Sequence, residues 1–323
     1  MTIFSTGGRV SALFASSFVA LGIQLPFFPV LLADRGLTDT EIAIVVAVPM
    51  ILRVTTASAL GALADRVGDR RRVLVAFAGL ALLGSLLLAP AQGFAAILGA
   101  TIAMSLFWNG ILPVTDALAT SVARSGAAVY GRMRLWGSIA FVLGNLAAGR
   151  LVGLHGGGIV YPLLVSALVL QFAVAPLAPR GVVPATGGAG RPSMWAGFAG
   201  LVGDRRLMTI LVGVALVQSS HAMLYGFASL YWGAIGFSGG EIGVLWAVGV
   251  VGEVILFAAA DRAIRRVGAR GLLLVGAAGA VVRWCLFPLV GDSGLVWTAL
   301  QLAHAASFAA THLGTMHVVT HAV

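Results

Sequence analysis

The chain has 323 residues, of which 59% are hydrophobic and only 10% charged, and its mean hydropathy is +1.02. A soluble domain carries roughly 25–35% charged residues on its surface, so this composition excludes one and indicates a polytopic membrane protein. The net charge of +9 and pI near 11.3 would suit a nucleic-acid binder, but the arginines gather in alternate loops and form no single patch, so no nucleic-acid partner is called for.

The first apolar run, residues 10–32, is too long for a cleaved signal sequence and has no clear small-x-small site before Asp34, so it is read as the first membrane helix. Further apolar runs of helical length follow at about 42–64, 73–91, 94–122, 135–154, 159–178, 207–232, 242–260, 271–290 and 294–318. That gives an all-α bundle of ten transmembrane helices. The long break at 179–206 is rich in Pro, Gly and Arg and predicts a cytoplasmic linker. Residues 1–178 then form a six-helix N-terminal half, and 207–323 a four-helix C-terminal half that stops two helices short of it. With the N-terminus inside, 16 of the 20 basic residues fall on the cytoplasmic side, as the positive-inside rule requires.

Residues 41–79 and 241–279 align without a gap at an offset of 200, with 14 identities in 39 positions. Glu41-Ile42 matches Glu241-Ile242, and Arg66-Val67-Gly68 matches Arg266-Val267-Gly268. The chain is therefore internally duplicated, an organisation common in transporters. Midway along the first crossing of each copy stand opposite charges, Arg53 and Glu253, where an unpaired charge costs about 2.5–3.5 kcal/mol on insertion scales.

Several polar residues on these helices are candidates for chemistry. Arg53, with Thr56 on the same face, reads either as a grip on a substrate carboxylate or as half of a structural ion pair. Glu253, flanked by Gly249 and Gly252, reads as a proton carrier or as a permanent partner of Arg283. The fourth predicted helix presents Asn109, Pro113, Asp116 and Thr120 as one polar stripe. Pro113 lacks an N–H and so frees the Asn109 carbonyl, while Asp116 is either a second proton site or a partner of Arg132 or Arg134. Gln301, His304, Phe308 and Thr311 share a face of the last helix, and Gln24 lies in the first. Arg283, Arg53, Asn109, Gln301, His304 and Gln24 are the expected substrate ligands.

Other features are read as bland. The spacing of the histidines, including His221 and His312, is not that of a metal site and no acid or cysteine accompanies it. Cys285 stands alone, so neither a disulfide nor a cofactor is expected. Phe27, Phe28, Phe107, Trp108, Trp136, Trp232, Trp246 and Trp284 are expected chiefly as lipid-facing or interfacial anchors, with stacking on an aromatic substrate as the alternative. Gly236-Phe237-Ser238-Gly239-Gly240 fits a hydrolase nucleophile motif, but it falls between two membrane helices and not at a strand-to-helix elbow, so no enzyme is read from it.

Gly61-Ala62-Leu63-Ala64-Asp65-Arg66-Val67-Gly68-Asp69-Arg70-Arg71-Arg72 resembles the loop 2–3 signature of the major facilitator superfamily. Leu25-Pro26-Phe27-Phe28-Pro29, Pro113-Val114-Thr115-Asp116, the run from Tyr130 through Arg132, Arg134 and Trp136 to Ser138, and Arg283-Trp284 are similar to its phenylpropionate-transporter branch, related to lactose permease and nucleoside/proton symporters. The resemblance implies twelve helices, alternating access, protons as the driving ion and aromatic acids as one substrate class. It also implies a cytoplasmic gate of Gly61, Asp65, Arg66, Gly68, Arg70, Arg132 and Arg134. The second copy departs from the signature, with Arg265 where the first has Asp65, and the chain stops two helices before a twelve-helix pattern closes.

The expectation is a monomeric, proton-coupled symporter of a small organic acid in the bacterial inner membrane. Its partners would be a small-molecule substrate, protons and the lipid bilayer. Efflux, nucleoside or sugar symport, and a non-transporting receptor or inactive remnant are the rivals. Cysteine-accessibility labelling is expected to find 185–190, 266–270 and both termini on the cytoplasmic side and 36–40 and 238–240 outside, and labelling of 185–190 from the periplasm would overturn the ten-helix count.

Overall fold

The computed structural model describes residues 5–180 and 203–322, and every regular element among them is helical. In chain order these are α1 (Thr6–Asp34), α2 (Asp39–Val67), α3 (Arg70–Leu86), α4 (Gly93–Arg124), α5 (Tyr130–His155), α6 (Val160–Val174), α7 (Arg205–Ala234), α8 (Gly239–Ala258), α9 (Ala260–Leu286), α10 (Gly294–Leu302) and α11 (Thr311–Ala322). A π-helical turn, Ala306–Ala310, joins the last two. Each predicted apolar run holds a helix and most of the helices outrun their apolar stretches, although α3 ends at Leu86 within the run predicted at 73–91. α5, for example, begins at Tyr130 and not at 135, its first turn holding Arg132, which is exposed, and Arg134, whose guanidinium lies over the Phe18 ring. The linker expected over 179–206 lies mostly outside the described residues.

Among the described residues, seven helices are long and apolar enough to cross a membrane: α1, α4, α5, Gly157–Leu177 around α6, Leu207–Ala234 within α7, α8, and Ala260–Leu289 around α9. Of the rest, α3 has only 17 residues, α2 carries Arg53 near its centre among other charges, and the path from 294 to 322 is interrupted by the π-turn.

The sequence duplication is a structural one. α2 runs as one helix from 39 to 67, and its copy runs from 239 to 267 with a break at Ala259. Both copies open on a capping box. The Thr38 and Ser238 N–H groups each donate to the carboxylate three residues on, Glu41 and Glu241, at 2.8 Å, and each hydroxyl side chain accepts from that residue's N–H. Both copies also close on a glycine at positive φ, Gly68 at 70° in a left-handed cap and Gly268 at 69° in a more extended one, conformations that glycine alone adopts without strain. α3 and the second part of α9 then start at equivalent positions.

By their internal contacts the residues divide into two compact units, Met1–Thr186 with Ser238–Gly243, and Gly187–Phe237 with Val244–Val323. In the first, α1 packs against α4, α5 and α6, while α4 also carries α2 and α3. The crossings are close because glycines stand at them: a Cβ on Gly22 would lie 2.5 Å from the Phe141 carbonyl oxygen, and one on Gly84 2.6 Å from the Met104 nitrogen. Gln171 Nε2 donates to Ser17 Oγ across the α1–α6 contact at 2.8 Å, a polar link within the bundle.

In the second unit α9 packs against α11 and the π-turn, with α7 alongside. Two of the tryptophans expected as interfacial anchors are core residues, whereas Trp136 is exposed. Trp232 is fully buried and Trp246 nearly so, in a cluster with Trp297, Tyr231 and Phe287 whose rings meet edge-on or tilted. The Trp246 N–H donates to Ser229 Oγ at 2.9 Å, and an anchor would have left that N–H in water. Phe27 and Phe28 are likewise core residues of the first unit.

Gly84→Ala forces α3 away from α4 and is expected to cost about 1–3 kcal/mol, read as a lower melting temperature in detergent. Gly99→Ala, on α4 with nothing within 4 Å of the added carbon, is the control and is expected to melt like the parent.

Candidate functional site

Glycines bring the elements of the second unit together. A Cβ on Gly249 would meet Gln301 and His304, and one on Gly252 would lie 3.2 Å from the Ala305 Cβ, so the path from 294 to 322 lies close against α8 where Glu253 emerges. On α9, Gly276 faces Thr311, and Gly279 faces Ala306 and Ser307. Arg283 projects from the same helix two turns beyond Gly276.

The result is a buried chain of polar groups. The Arg283 guanidinium, 1% exposed, donates from Nη1 to His304 Nδ1 at 3.1 Å and from Nη2 to the Gln301 side-chain oxygen. His304 Nε2 stands 3.0 Å from Glu253 Oε1. Hydrogen-bond roles follow from the arginine, which only donates. His304 Nδ1 must therefore accept, so the ring is neutral with its proton on Nε2 and donates that proton to Glu253. Gln301 is fixed in the same way, its oxygen toward Arg283 and its Nε2 donating to the Leu245 carbonyl at 3.2 Å. The sequence left Glu253 either as a proton site or as a direct partner of Arg283, and the structure sets His304 between them. Arg283 Nε is buried without a hydrogen-bond partner. An N–H left over in so dry a place is costly unless something supplies an oxygen.

The π-turn begins two residues after His304. Its Ser307 hydroxyl lies 3.1 Å from the His304 carbonyl oxygen and 3.0 Å from Nε2 of His221 on α7. Turns of this kind are frequent at functional sites. No role for Ser307 was legible in the sequence, since its contact with His221 spans 86 residues, although the three-residue spacing from His304 was a local signal.

The remaining expected residues lie in the first unit. Arg53 is exposed on α2, and no hydrogen bond or ion pair joins it to another described residue. Asn109 on α4 donates to the Pro49 carbonyl at 3.2 Å, one turn before Arg53. Gln24 is half-buried on α1. Asp116 accepts from the Tyr130 hydroxyl at 2.9 Å, with the Arg134 guanidinium near enough to act on it electrostatically. Arg134 itself lies 3.9 Å over the Phe18 ring, a cation–π contact, whereas Arg132 is exposed. Tyr130 as the partner of Asp116 was not foreseen.

Of the expected gate residues, Gly61 and Arg66 lie on the last two turns of α2, Gly68 makes the left-handed turn, and Arg70 donates to the Ala117 carbonyl of α4 at 3.1 Å. The Asp65 side chain lies outside the described residues. Asp69 does the local work, accepting from the N–H groups of Arg71 and Arg72 at the start of α3 and pairing with the Arg72 side chain at 3.3 Å.

An internally duplicated bundle of membrane-crossing helices with ionisable groups inside it defines a multi-pass transporter of the major facilitator type, and neither fold nor relatives are those of an enzyme. The chain belongs to the MFS_1 like family, which it matches over residues 9–323. It is 36% identical over 313 residues to the probable 3-phenylpropionic acid transporter of Escherichia coli (strain K12), spanning 94% of this chain and 79% of that one. It is 27% identical over 271 residues to the maltose permease of Geobacillus stearothermophilus, spanning 84% and 68%. Its fold is similar to the crystal structure of the nucleoside transporter NupG, with a TM-score of 0.84 at 13% identity over 98% of this chain and 83% of that one. A bacterial homologue of the human lysosomal transporter Spinster, solved inward-facing and unoccupied, gives 0.68 at 14% identity over 96% and 74%.

Proposed function

We propose that the protein is a proton-coupled symporter of a small aromatic carboxylate, working by alternating access between the halves 1–178 and 207–323, joined through 179–206. One observation carries the reading: a buried guanidinium with a spare Nε–H, joined through a neutral imidazole to a carboxylate. The naming of the relative that is 36% identical for an aromatic acid supports the substrate class.

In this reading the deprotonated Glu253 balances the charge of Arg283 through His304 while the site is empty. A proton on Glu253 removes that balance, and Arg283 becomes the grip for a substrate carboxylate, with Gln301 keeping the fork oriented. Proton and anion enter together as a pair without net charge, which lowers the cost of moving them across the bilayer. Arg53, Asn109 and Gln24, in the first unit, are further candidates for substrate contact. Asp116 is a second candidate for the proton, and the turn from Gly61 to Arg70, with Arg132 and Arg134, would form the cytoplasmic gate. We read the protein as a monomer of the bacterial inner membrane with its N-terminus inside. A sugar substrate is the second reading, favoured by the maltose permease relative.

The test is uptake of labelled 3-phenylpropionate by proteoliposomes under an imposed pH gradient. The parent is expected to accumulate it, whereas Glu253→Gln, a fixed mimic of the protonated acid, should exchange it without accumulating it. Loss of exchange and accumulation together would make Glu253 a structural partner only, and a parent that accumulates maltose but not the acid would favour the second reading.

A further inference from the structure

The histidine that joins Arg283 to Glu253 is surrounded by rings, and most of them are already spoken for. Phe308 lies between two others, stacked on His304 at 5.5 Å and 13° and on His312 at 6.5 Å and 5°, so the three form a ladder along the last helical path. His221 is 1% exposed and meets His304 and Phe308 edge-on at 4.9 and 5.8 Å. Trp246 is 5% exposed, with its N–H held by Ser229 Oγ and its ring edge-on to Trp232.

Tyr225, one turn after His221 on α7, is the exception. It is half-buried and stacks on one ring alone, that of Trp246, at 6.1 Å and 24°. Its hydroxyl makes no hydrogen bond with another described residue. The ring is nevertheless held firmly, because the tryptophan behind it is pinned by Ser229, itself one turn further along α7. A flat aromatic surface with fixed backing and no second stacking partner is what a ligand ring needs.

That surface stands beside the polar chain. Trp246 and Glu253 are two turns apart on α8 and so share a face. Ring contacts of 6.2 and 4.9 Å lead from Tyr225 through His221 to His304, which accepts from Arg283. A carboxylate supplying the acceptor that Arg283 Nε lacks, with a ring carried on a short aliphatic tether, is of the size to reach both. An aliphatic wall would take any apolar tail of that length. An aromatic wall discriminates, since one π-system paired with another gains energy beyond the area buried, and a saturated ring of similar size does not.

We propose that Tyr225, backed by Trp246, is the residue that selects aromatic over saturated carboxylates. Its ring receives the ring of the substrate while Arg283 receives the carboxylate, and the tyrosine hydroxyl takes no part in the selection. The inference deepens the reading of the site as one for aromatic acids and rests on that reading for the carboxylate.

The test is the binding of two probes to purified protein in detergent: 3-phenylpropionate and 3-cyclohexylpropionate, which have the same acid and tether and differ in the aromaticity of the ring. The parent is expected to prefer the phenyl compound. In Tyr225→Leu that preference should fall by about two- to tenfold, chiefly through weaker binding of the phenyl compound, whereas Tyr225→Phe should keep it. A role limited to holding α7 in place would weaken both acids alike and leave their ratio unchanged. Should Tyr225→Leu fail to fold, Tyr225→Met fills the gap with a flexible side chain and is expected to lose the preference in the same way. A folded variant without the ring that keeps the parent's ratio overturns the proposal, and so does loss of the preference in Tyr225→Phe. A parent that binds neither probe overturns the aromatic-acid reading and this assignment with it, so the two failures are told apart by the parent alone.

Discussion

Everything in the second unit answers to the burial of Arg283. A guanidinium taken out of water keeps its charge, because no other side chain is as hard to deprotonate, and must therefore find acceptors and a counter-charge within reach. His304 and Gln301 supply the acceptors, and Glu253 supplies the charge at one remove. The interposed imidazole matters for function. A direct bidentate pair between arginine and carboxylate is hard to open, whereas a chain with a neutral, titratable ring in the middle can be loosened at either end.

Glycine makes that arrangement reachable. Gly249 and Gly252 let the last helical path close on α8, and Gly276 and Gly279 let it close on α9, so three helices meet at a spacing that longer side chains would forbid. The same device shapes the first unit at Gly22 and Gly84. In lipid, where no hydrophobic force drives helices together, this close packing and a few buried hydrogen bonds hold the bundle, which is why so many glycines appear in so apolar a chain.

The sequence made the architecture legible. The offset of 200 is visible in Glu41 and Glu241 and in Gly68 and Gly268, and those residues turn out to be the caps and turns that fix the copied helices. Glu253, Arg283, Gln301 and His304 stood out singly as polar groups in apolar helices. Their order along the chain of hydrogen bonds did not, since it depends on helix rotation and on a π-turn that throws the face of the last path out of helical register. For the same reason the contact of Ser307 with His221 was not legible, and Trp232 and Trp246, which composition alone marks as interfacial, are core residues held by each other and by Ser229. Arg53, equivalent by sequence to Glu253, has no comparable set of partners among the described residues.

The compensation of Arg283 by Glu253 through His304 is tested most directly by a double-mutant cycle. Arg283→Gln and Glu253→Gln are made singly and together, and the melting temperature of each purified protein is measured without substrate at neutral pH. If the two charges balance through the imidazole, each single change lowers stability by up to about 3 kcal/mol, because it strands the other charge, and the double variant recovers most of the loss. Single losses that simply add in the double variant would contradict it, and Arg283 and Glu253 would then be two independent buried charges.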